Sequence, residues 1–277
     1  MNHDSKLKII LIYAVLLIFI VISIYPVIRV FSISLRPDDR LLSTSLAIIP
    51  HDASLSNYIE LFVERPFLRW MWNSFIVTLA VTIFGVMLAS TAGYVMSRFK
   101  FVGRKAAMSS ILTSQMFPAT MLLLPMYILI SKLGLLNTYV GLIVVYSATA
   151  LPFCIWTMKG YYDTIPYSLE EAAMMDGCTN FQAFYKVVLP LATPALVITA
   201  LFSFMSSWSE YIVAAQVLQD PKLYTLPLGL KQFQQNMSTE WGLYAAGALI
   251  VAIPIVALFM IANKWLVSGL TLGGVKE

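Results

Sequence analysis

The stretch Glu170-Glu171-Ala172-Ala173-Met174-Met175-Asp176-Gly177, followed by Val187-Val188-Leu189-Pro190, is a long polar-rich interruption of a very hydrophobic chain. Residues 170–175 are mostly good helix formers, and a glycine such as Gly177 is typical of a helix end. A second short helix is predicted from 180 to 189, because Pro190 bars its simple continuation. The sequence therefore predicts two short helices, separated by a glycine break, that form a docking surface at a face of the membrane.

The composition indicates that lipid is the solvent for most of this chain. Of its 277 residues, 59% are hydrophobic and 12% are charged, and the mean hydropathy is +0.80. Soluble domains carry about 25% charged residues, so one aqueous core could not bury this much apolar surface. Cys154 falls in a predicted span and Cys178 in a predicted loop, so the cysteines predict neither a disulfide nor a metal site.

Six segments have the roughly 20 mainly apolar residues that a membrane-spanning helix requires. They run at about 9–33, 72–96, 108–130, 140–158, 191–207 and 243–266. The first segment lacks a small-residue cleavage site, so it is expected to be retained as an anchor. The predicted fold class is an all-α integral membrane protein, with six transmembrane helices in a single domain over residues 1–277.

Basic residues predict the orientation, because loops rich in Lys and Arg stay in the cytoplasm. The dense cluster Arg98-Phe99-Lys100-Phe101-Val102-Gly103-Arg104-Lys105 follows the second span and therefore marks the cytoplasmic side. Both termini lie on that side, as an even number of spans requires. Of the loops, that at about 159–190 is then cytoplasmic, and those at about 36–71 and 216–242 are external. Trp70 and Trp72, at the exit of the first external loop, are expected to be interfacial aromatics.

The spacing of residues in the polar stretch resembles a known loop. Glu171-Ala172-Ala173, three residues, Gly177, nine residues and then Val187-x-Leu189-Pro190 are similar to the EAA loop of permease subunits in binding-protein-dependent ABC importers. The family pattern has Ile at the position of Val187. In that family the loop inserts into a groove of a cytoplasmic ATPase. The resemblance implies the following ATPase-coupling residues: Glu170, Glu171, Ala172, Ala173, Asp176, Gly177, Leu189 and Pro190.

The resemblance extends over nearly the whole chain. The segments 31–36, 72–74, 115–118, 156–162 and 264–276 are similar to those of the MalG-type permease of maltose and maltodextrin ABC importers. This implies the type I ABC importer permease fold, with a cytoplasmic coupling helix, in the cell (inner) membrane of a bacterium or archaeon. The implied partners are a MalF-type second permease, a MalK-type ATPase dimer that binds ATP and Mg²⁺, an extracytoplasmic solute-binding protein, an oligosaccharide and the lipid bilayer.

The resemblance also implies roles for two further segments. In the family the loop before the last span reaches the binding protein, and here that loop is at about 216–240. The glycine-rich tail reaches the ATPase, which implies contacts from Gly273, Gly274 and Lys276. Neither a cofactor bound by this chain nor a nucleic-acid partner is expected.

The sequence contains no residue pattern for catalysis that we recognise. It has no G-x-x-x-x-G-K-[ST], G-x-S-x-G, H-E-x-x-H or C-x-x-C, and His3 and His51 lie outside the predicted spans. Ionisable residues are scarce within the spans, whereas carriers driven by protons or sodium place carboxylates there. We therefore predict no catalytic and no metal-binding residues, and an energy source in another subunit.

Five residues are candidates for the solute pathway: Asn73, Gln115, Trp208, Glu210 and Tyr211. Aromatic faces stack on sugar rings, and amides and carboxylates bind hydroxyl groups, so a sugar would suit them. The alternative interpretation is structural: Trp and Tyr at the end of a span are commonly interfacial anchors, and lone polar residues bridge helices.

Other functions remain as alternatives to a maltodextrin permease. The transported sugar could be a different oligosaccharide of the raffinose, galactan or alginate type. A stand-alone secondary carrier would require ionisable residues inside the spans, and a membrane-embedded enzyme would require His, Asp or Ser clusters at membrane depth. The sequence disfavours the carrier and the enzyme.

Overall fold

The computed structural model describes residues 6–37, 47–234 and 239–274, with only the backbone described at 119 and from 266 onward. In these ranges the regular structure is helical, apart from one β-bridge between Gln234 and Thr239. The α-helices are α1 Lys6–Ser34, α2 Ser56–Val63, α3 Phe67–Arg98, α4 Arg104–Ser114, α5 Ala119–Lys132, α6 Tyr139–Tyr162, α7 Ser168–Met175, α8 Asn180–Ala183, α9 Leu189–Leu191, α10 Thr193–Trp208, α11 Ile212–Val217, α12 Leu226–Leu230 and α13 Trp241–Gly274. A π-helical turn, Phe184–Val188, joins α8 to α9. The predicted all-α fold class is confirmed.

Within the described ranges, four helices are long and apolar enough to cross a membrane: α1, α3, α6 and the part Trp241–Trp265 of α13. A fifth crossing results if Asn180–Leu191 and α10, which meet at an angle of 76°, form one bent span. Helices occupy all six of the predicted segments, and the chain is a multi-span membrane protein.

The third predicted span is two helices rather than one. α4 ends at Ser114 and α5 begins at Ala119, and Pro118 between them has an extended backbone with φ −56° and ψ 127°. Proline has no N–H and its ring clashes with the preceding helical turn, so an apolar run is broken there. The prediction of one continuous helix over 108–130 is therefore wrong, and Gln115 lies at the break.

Contacts between residues group the chain into two units. The first unit combines Met1–Leu68 with Gly229–Ile253. In it the buried amide of Asn57 donates from Nδ2 to the carbonyl oxygens of Ser34, at 3.0 Å, and Arg36, at 2.8 Å. This amide therefore ties α2 to the end of α1.

The second unit combines Arg69–Leu228 with Pro254–Glu277. Two hydrophobic clusters of described residues lie in it. The first cluster consists of Val77, Val81, Ile130, Leu142, Val145, Tyr146, Val213, Ala214, Val217, Leu218 and Leu228. The second consists of Ala89, Tyr94, Cys154, Met158, Tyr162, Ile165, Phe184, Val188, Ala192 and Ala195. Because Phe184 and Val188 belong to the second cluster, that cluster anchors the short helices of the polar stretch to α3 and α6.

Two buried side chains near the start of α3 bind the backbone of the segment before α12. Asn73 donates from Nδ2 to the carbonyl oxygens of Lys222, at 2.9 Å, and Tyr224, at 3.0 Å. The backbone N–H of Leu226 donates to Oγ of Ser74 at 2.7 Å. This part of the predicted external loop is therefore fixed to α3.

The two tryptophans predicted to lie at the membrane interface differ in burial. Trp70 is buried, and its indole N–H donates to the carbonyl oxygen of Pro221 at 3.4 Å. Trp72 is exposed and stacks on Phe75, with ring centroids 5.8 Å apart. Trp70 is therefore held by the loop backbone inside the protein, and an interfacial position stays a prediction for both tryptophans.

Candidate docking site

The first short helix of the polar stretch, α7, ends as the sequence predicts. Gly177 has φ +88°, which is a conformation that glycine adopts without penalty. Its N–H donates to the carbonyl of Met174, and the N–H of Cys178 donates to the carbonyl of Ala173, both at 3.0 Å. These two bonds form a Schellman motif, which satisfies carbonyls at the end of α7. The predicted glycine break is confirmed.

The second short helix starts with a capping box. Thr179 Oγ1 accepts from the N–H of Gln182 at 3.3 Å, and Gln182 Oε1 accepts from the N–H of Thr179 at 2.8 Å. The helix continues through the π-helical turn Phe184–Val188 to Leu191, so Pro190 does not end it at once. Since proline removes only its own N–H from the ladder, it is tolerated directly after the π-helical turn. The chain then bends at Ala192, before α10.

The two adjacent glutamates of α7 point in opposite directions. Glu170 is 2% exposed, whereas Glu171 is exposed. Glu170 Oε1 accepts from Nε of Arg98 at 2.5 Å, and its Oε2 accepts from the hydroxyl of Tyr94 at 2.7 Å. Glu170 therefore presents almost no surface to a partner in this chain, and its coupling role stays a prediction. Its carboxylate instead fastens α7 to the end of α3.

Arg98 extends this attachment to the chain before α7. Its second guanidinium nitrogen donates to the carbonyl of Ile165 at 2.9 Å, and its guanidinium lies 5.9 Å from the centre of the Tyr167 ring. Because the Arg98 side chain is only 9% exposed, Glu170 provides the counter-charge that its burial requires.

Asp163 forms a second polar link at the end of α6. It accepts from Ser97 Oγ at 2.7 Å and is also paired with the ammonium of Lys159. Burial acts to raise the pKa of Asp163, but the hydrogen bonds from Lys159 and Ser97 outweigh it and lower this pKa. Asp163 is therefore a charged anchor between α3 and α6 at neutral pH.

Aromatic rings pack against the short helices of the polar stretch. The Tyr94 ring lies 4.5 Å from that of Phe184 and 5.9 Å from that of Tyr162, measured between centroids. Tyr162 shares a hydrogen bond with Ser90 at 3.0 Å. Gly93 allows this approach, because a Cβ there would lie 2.9 Å from Cβ of Met158. α3 and α6 are therefore in close contact directly below the loop.

The exposed side of the loop carries a small side chain, Ala172, and two large apolar ones, Met175 and Phe181. We define the docking face as Glu171, Ala172, Met175, Asp176 and Phe181, of which Met175 is 89% and Phe181 70% exposed. Large exposed apolar side chains beside polar ones are typical of interaction sites. The other predicted coupling residues follow the same division: Gly177 and Pro190 are exposed, and Ala173 and Leu189 are half-buried.

The predicted tail residues are described only in part. Gly273 and Gly274 are the last residues of α13, and Lys276 lies outside the described residues. Within the described residues, no group of His, Cys, Asp and Glu could hold a metal ion.

The candidate pathway residues do not converge on one site. Asn73 is buried against the loop backbone, as described above, and Trp208 is buried and stacks on Phe204 at 5.4 Å. The exposed Gln115 donates to the carbonyl of Thr149 at 3.3 Å.

The other two pathway candidates lie together after α10. The carboxylate of Glu210 accepts from the N–H groups of Val213 and Ala214 at 3.0–3.3 Å, and so caps α11. Tyr211 packs half-buried against the first hydrophobic cluster. The structure thus gives most of the five residues a local structural contact, and their place on a solute pathway stays a prediction.

Sequence reasoning missed Arg98 and Tyr94, the two side chains that bind Glu170. Arg98 was assigned only to a basic cluster, although it ends a span on the same predicted side as the acidic helix α7. A basic residue at the end of a span favours a counter-charge, and Asp163, Glu170, Glu171 and Asp176 are the carboxylates of the predicted loop on that side. Which of the four it pairs with required the structure.

Known proteins resemble this chain over most of its length. Residues 82–271 match the family described as binding-protein-dependent transport system inner membrane component. The maltose/maltodextrin transport system permease protein MalG of Salmonella typhimurium is 37% identical, covering 99% of this chain and 97% of that protein. MalG of Vibrio vulnificus is 42% identical, covering 76% of this chain and 73% of that protein.

A solved structure has the same fold. A crystal structure of a bacterial ABC transporter involved in the import of the acidic polysaccharide alginate matches with a TM-score of 0.81 at 25% identity, covering 95% of this chain and 99% of that chain. The family match covers more than half of the chain, and the MalG relatives exceed 30% identity over most of it. The chain therefore belongs to the inner membrane components of binding-protein-dependent transport systems.

Proposed function

We propose that this chain is the permease subunit of an ABC importer for maltose and maltodextrin. The observation that carries the proposal is the 37% identity to MalG of Salmonella typhimurium over 99% of the chain. The second candidate solute is an acidic oligosaccharide of the alginate type, favoured by the structural similarity to an alginate importer at 25% identity. The higher identity to MalG makes maltodextrin the first choice.

The proposed partners are a MalF-type second permease, a MalK-type ATPase dimer and an extracytoplasmic solute-binding protein. ATP and Mg²⁺ bind to the ATPase, and this chain carries out no hydrolysis of its own. The protein lies in a bacterial or archaeal inner membrane, with both termini and the docking face in the cytoplasm. The cluster Arg98–Lys105, on the same side as the docking face, supports this orientation.

Coupling is proposed to be mechanical. ATP-driven closure of the ATPase moves the docking face, in which Ala172 lets the partner approach closely and Glu171 presents an exposed carboxylate. The motion passes to α3 and α6 through the Arg98–Glu170 ion pair and the ring of Phe184. Because these contacts are buried and closely packed, they transmit a displacement instead of absorbing it.

The test is uptake by proteoliposomes that contain this chain, the partner permease, the ATPase and the binding protein. We expect uptake of labelled maltotriose that requires ATP and the binding protein. Uptake of alginate oligosaccharides alone would replace the solute and keep the mechanism. Uptake without ATP or the ATPase would refute the importer and favour a stand-alone carrier.

A matched pair of variants tests the docking face. Ala172→Trp adds a large ring to an exposed position, so we expect it to block the approach of the ATPase and to abolish uptake while the chain still inserts into the membrane. Ala172→Ser keeps the residue small and should transport normally. Normal uptake by Ala172→Trp would show that Ala172 does not lie at the ATPase interface.

A further inference from the structure

The connection between α3 and α4 forms a basic cavity that the coupling mechanism does not use. The cavity has a volume of about 520 Å³ and is lined by Lys100, Phe101, Gly103, Arg104, Lys105 and Ala106. A volume of this size lies within the range of small-molecule sites. It directly follows the end of a membrane-spanning helix.

Within the described residues, the two lysines of this cavity have no carboxylate partner. Lys100 and Lys105 are exposed and make no ion pair or hydrogen bond within the described part of the chain. Arg104 donates to the carbonyl of Ser97, at 3.5 Å. The carboxylate that acts on Arg104 is Asp163, and it is already bonded to Lys159 and Ser97.

The sequence around the cavity is free of acidic residues over a long distance. No Asp or Glu occurs between Glu64 and Asp163, so no carboxylate in α3, α4, α5 or α6 can offset the cations. The net positive charge of this segment therefore favours an anion from outside the chain.

The backbone adds to the preference for an anion. Gly103 has φ +91° and precedes α4 without a side-chain cap, and a Cβ there would meet nothing within 4 Å. The N–H groups of Lys105 and Ala106 lie in the first turn of α4, where a helix has no internal acceptors. They point toward the end of the helix that favours negative charge.

Exposed apolar side chains beside the cations indicate that the anion belongs to a membrane. Phe99 and Phe101 are both 43% exposed, and Val102 is fully exposed. Such side chains enter the boundary between headgroups and acyl chains, whereas binding of a soluble anion does not require exposed apolar side chains. Lys and Arg that immediately follow a spanning helix on the cytoplasmic side are attracted to anionic lipids.

We propose that this cavity binds the phosphate headgroup of an anionic phospholipid from the cytoplasmic leaflet. Lys100, Arg104 and Lys105 neutralise the phosphate, and Phe101 contacts the glycerol and the start of the acyl chains. The cytoplasmic placement rests on the proposed function; the binding chemistry does not. Since Arg98 ends α3 just before the cavity and holds Glu170, the lipid lies beside the attachment of the docking loop.

The test is native mass spectrometry of the purified full-length chain, titrated with phosphatidylglycerol and, separately, with phosphatidylcholine. We expect tighter binding of phosphatidylglycerol, weakened by rising ionic strength as electrostatic binding requires. The double variant Lys100→Gln/Lys105→Gln should weaken that binding at least about tenfold, because each cation near an anionic surface contributes severalfold. Both residues are exposed, so the variant should keep the melting temperature of the wild type.

The matched control removes two exposed lysines elsewhere, as Lys132→Gln/Lys222→Gln, and should leave binding unchanged. Equal binding of both lipids, equal loss in both double variants, or insensitivity of the wild type to salt would overturn the proposal. Binding of soluble glycerol phosphate as tight as that of the lipid would reassign the cavity to a soluble anion. The measurement needs no ATPase, binding protein or ATP, so its outcome is independent of whether the chain transports maltodextrin.

Discussion

Removal of the negative charge from Glu170, with Glu171 as the neighbouring control, tests how the docking face is held. In Glu170→Gln the side chain keeps its size and an oxygen that accepts from the hydroxyl of Tyr94. It loses the charge that balances Arg98, whose side chain is 9% exposed. We expect α7 to detach from α3 more often, while the rest of the chain stays folded.

The magnitude follows from the geometry of the pair. Removal of one partner of a buried ion pair costs about 3–5 kcal/mol, because the other charge stays buried and unpaired. We expect the lower end, about 3 kcal/mol, since Arg98 still donates to the carbonyl of Ile165 at 2.9 Å. If the free energy of local opening falls by that amount, the open state is populated about 150-fold more.

The assay is hydrogen–deuterium exchange of the purified chain in lipid nanodiscs, read on peptides that cover α7. Amide exchange in α7 should accelerate by about two orders of magnitude in Glu170→Gln, since exchange reports local opening. Glu171→Gln should exchange like the wild type, because Glu171 is exposed. In the proteoliposome assay, Glu171→Gln should still lower uptake, because it removes a charge from the docking face.

A third variant separates loss of the pair from loss of Glu170 alone. Arg98→Gln/Glu170→Gln leaves no unpaired buried charge, so its exchange should be slower than that of Glu170→Gln. Wild-type exchange in Glu170→Gln, or equal acceleration by Gln at positions 170 and 171, would refute the anchoring role.

Three further predictions concern glycines and cysteines. Gly93→Ala should destabilise the chain by about 1–3 kcal/mol through overpacking against α6, whereas Gly160→Ala, with open space around it, should stabilise it by up to about 1 kcal/mol. Thermal unfolding in detergent measures both changes, and a change of the same sign in both variants would contradict the close contact between α3 and α6. Gly177→Ala should destabilise the end of α7 by about 1–2 kcal/mol, because φ at this residue is +88°, and Gly177→Asn should destabilise it less. Hydrogen–deuterium exchange at residues 176–180 checks this, and equal exchange in the two variants would argue against a conformational cause. A membrane-impermeant maleimide should label the partly exposed Cys178 only from the cytoplasmic face, with the buried Cys154 unlabelled as an internal control; labelling from outside would reverse the proposed orientation.

The positions of the helices followed from hydropathy, because a lipid solvent leaves few alternatives to a helix for an apolar run. The break between α4 and α5 did not follow, since Gln115 and Pro118 interrupt an otherwise apolar segment and proline often occurs inside membrane helices without ending them. The structure of this break depends on what surrounds it, as in the bond from Gln115 to the carbonyl of Thr149.

In the polar stretch at residues 170–190, too, local features could be predicted from the sequence and long-range contacts could not. Helix formers and Gly177 determined the two short helices, because capping and the Schellman motif are local interactions. The orientation of Glu170 relative to Glu171 depended on Arg98, which lies 72 residues earlier in the chain. Asn73 was assigned to a pathway by residue type alone, and its burial depends on bonds to carbonyls about 150 positions later in the chain.

The bonds that join Asn73 and Ser74 to residues 222–226 can form only late in the synthesis of this protein. The partners are separated by 149 to 152 positions along the chain. A ribosome that adds about 5–20 residues per second makes the second group of atoms roughly 8–30 s after the first. During that interval α3 is already in the membrane while the amide and hydroxyl near its N-terminal end still lack their permanent acceptors and donor. The N-terminal end of α3 is therefore completed only after the eight helices α4 to α11 have been made, and a substitution in the late segment acts on one of the earliest helices of the nascent chain.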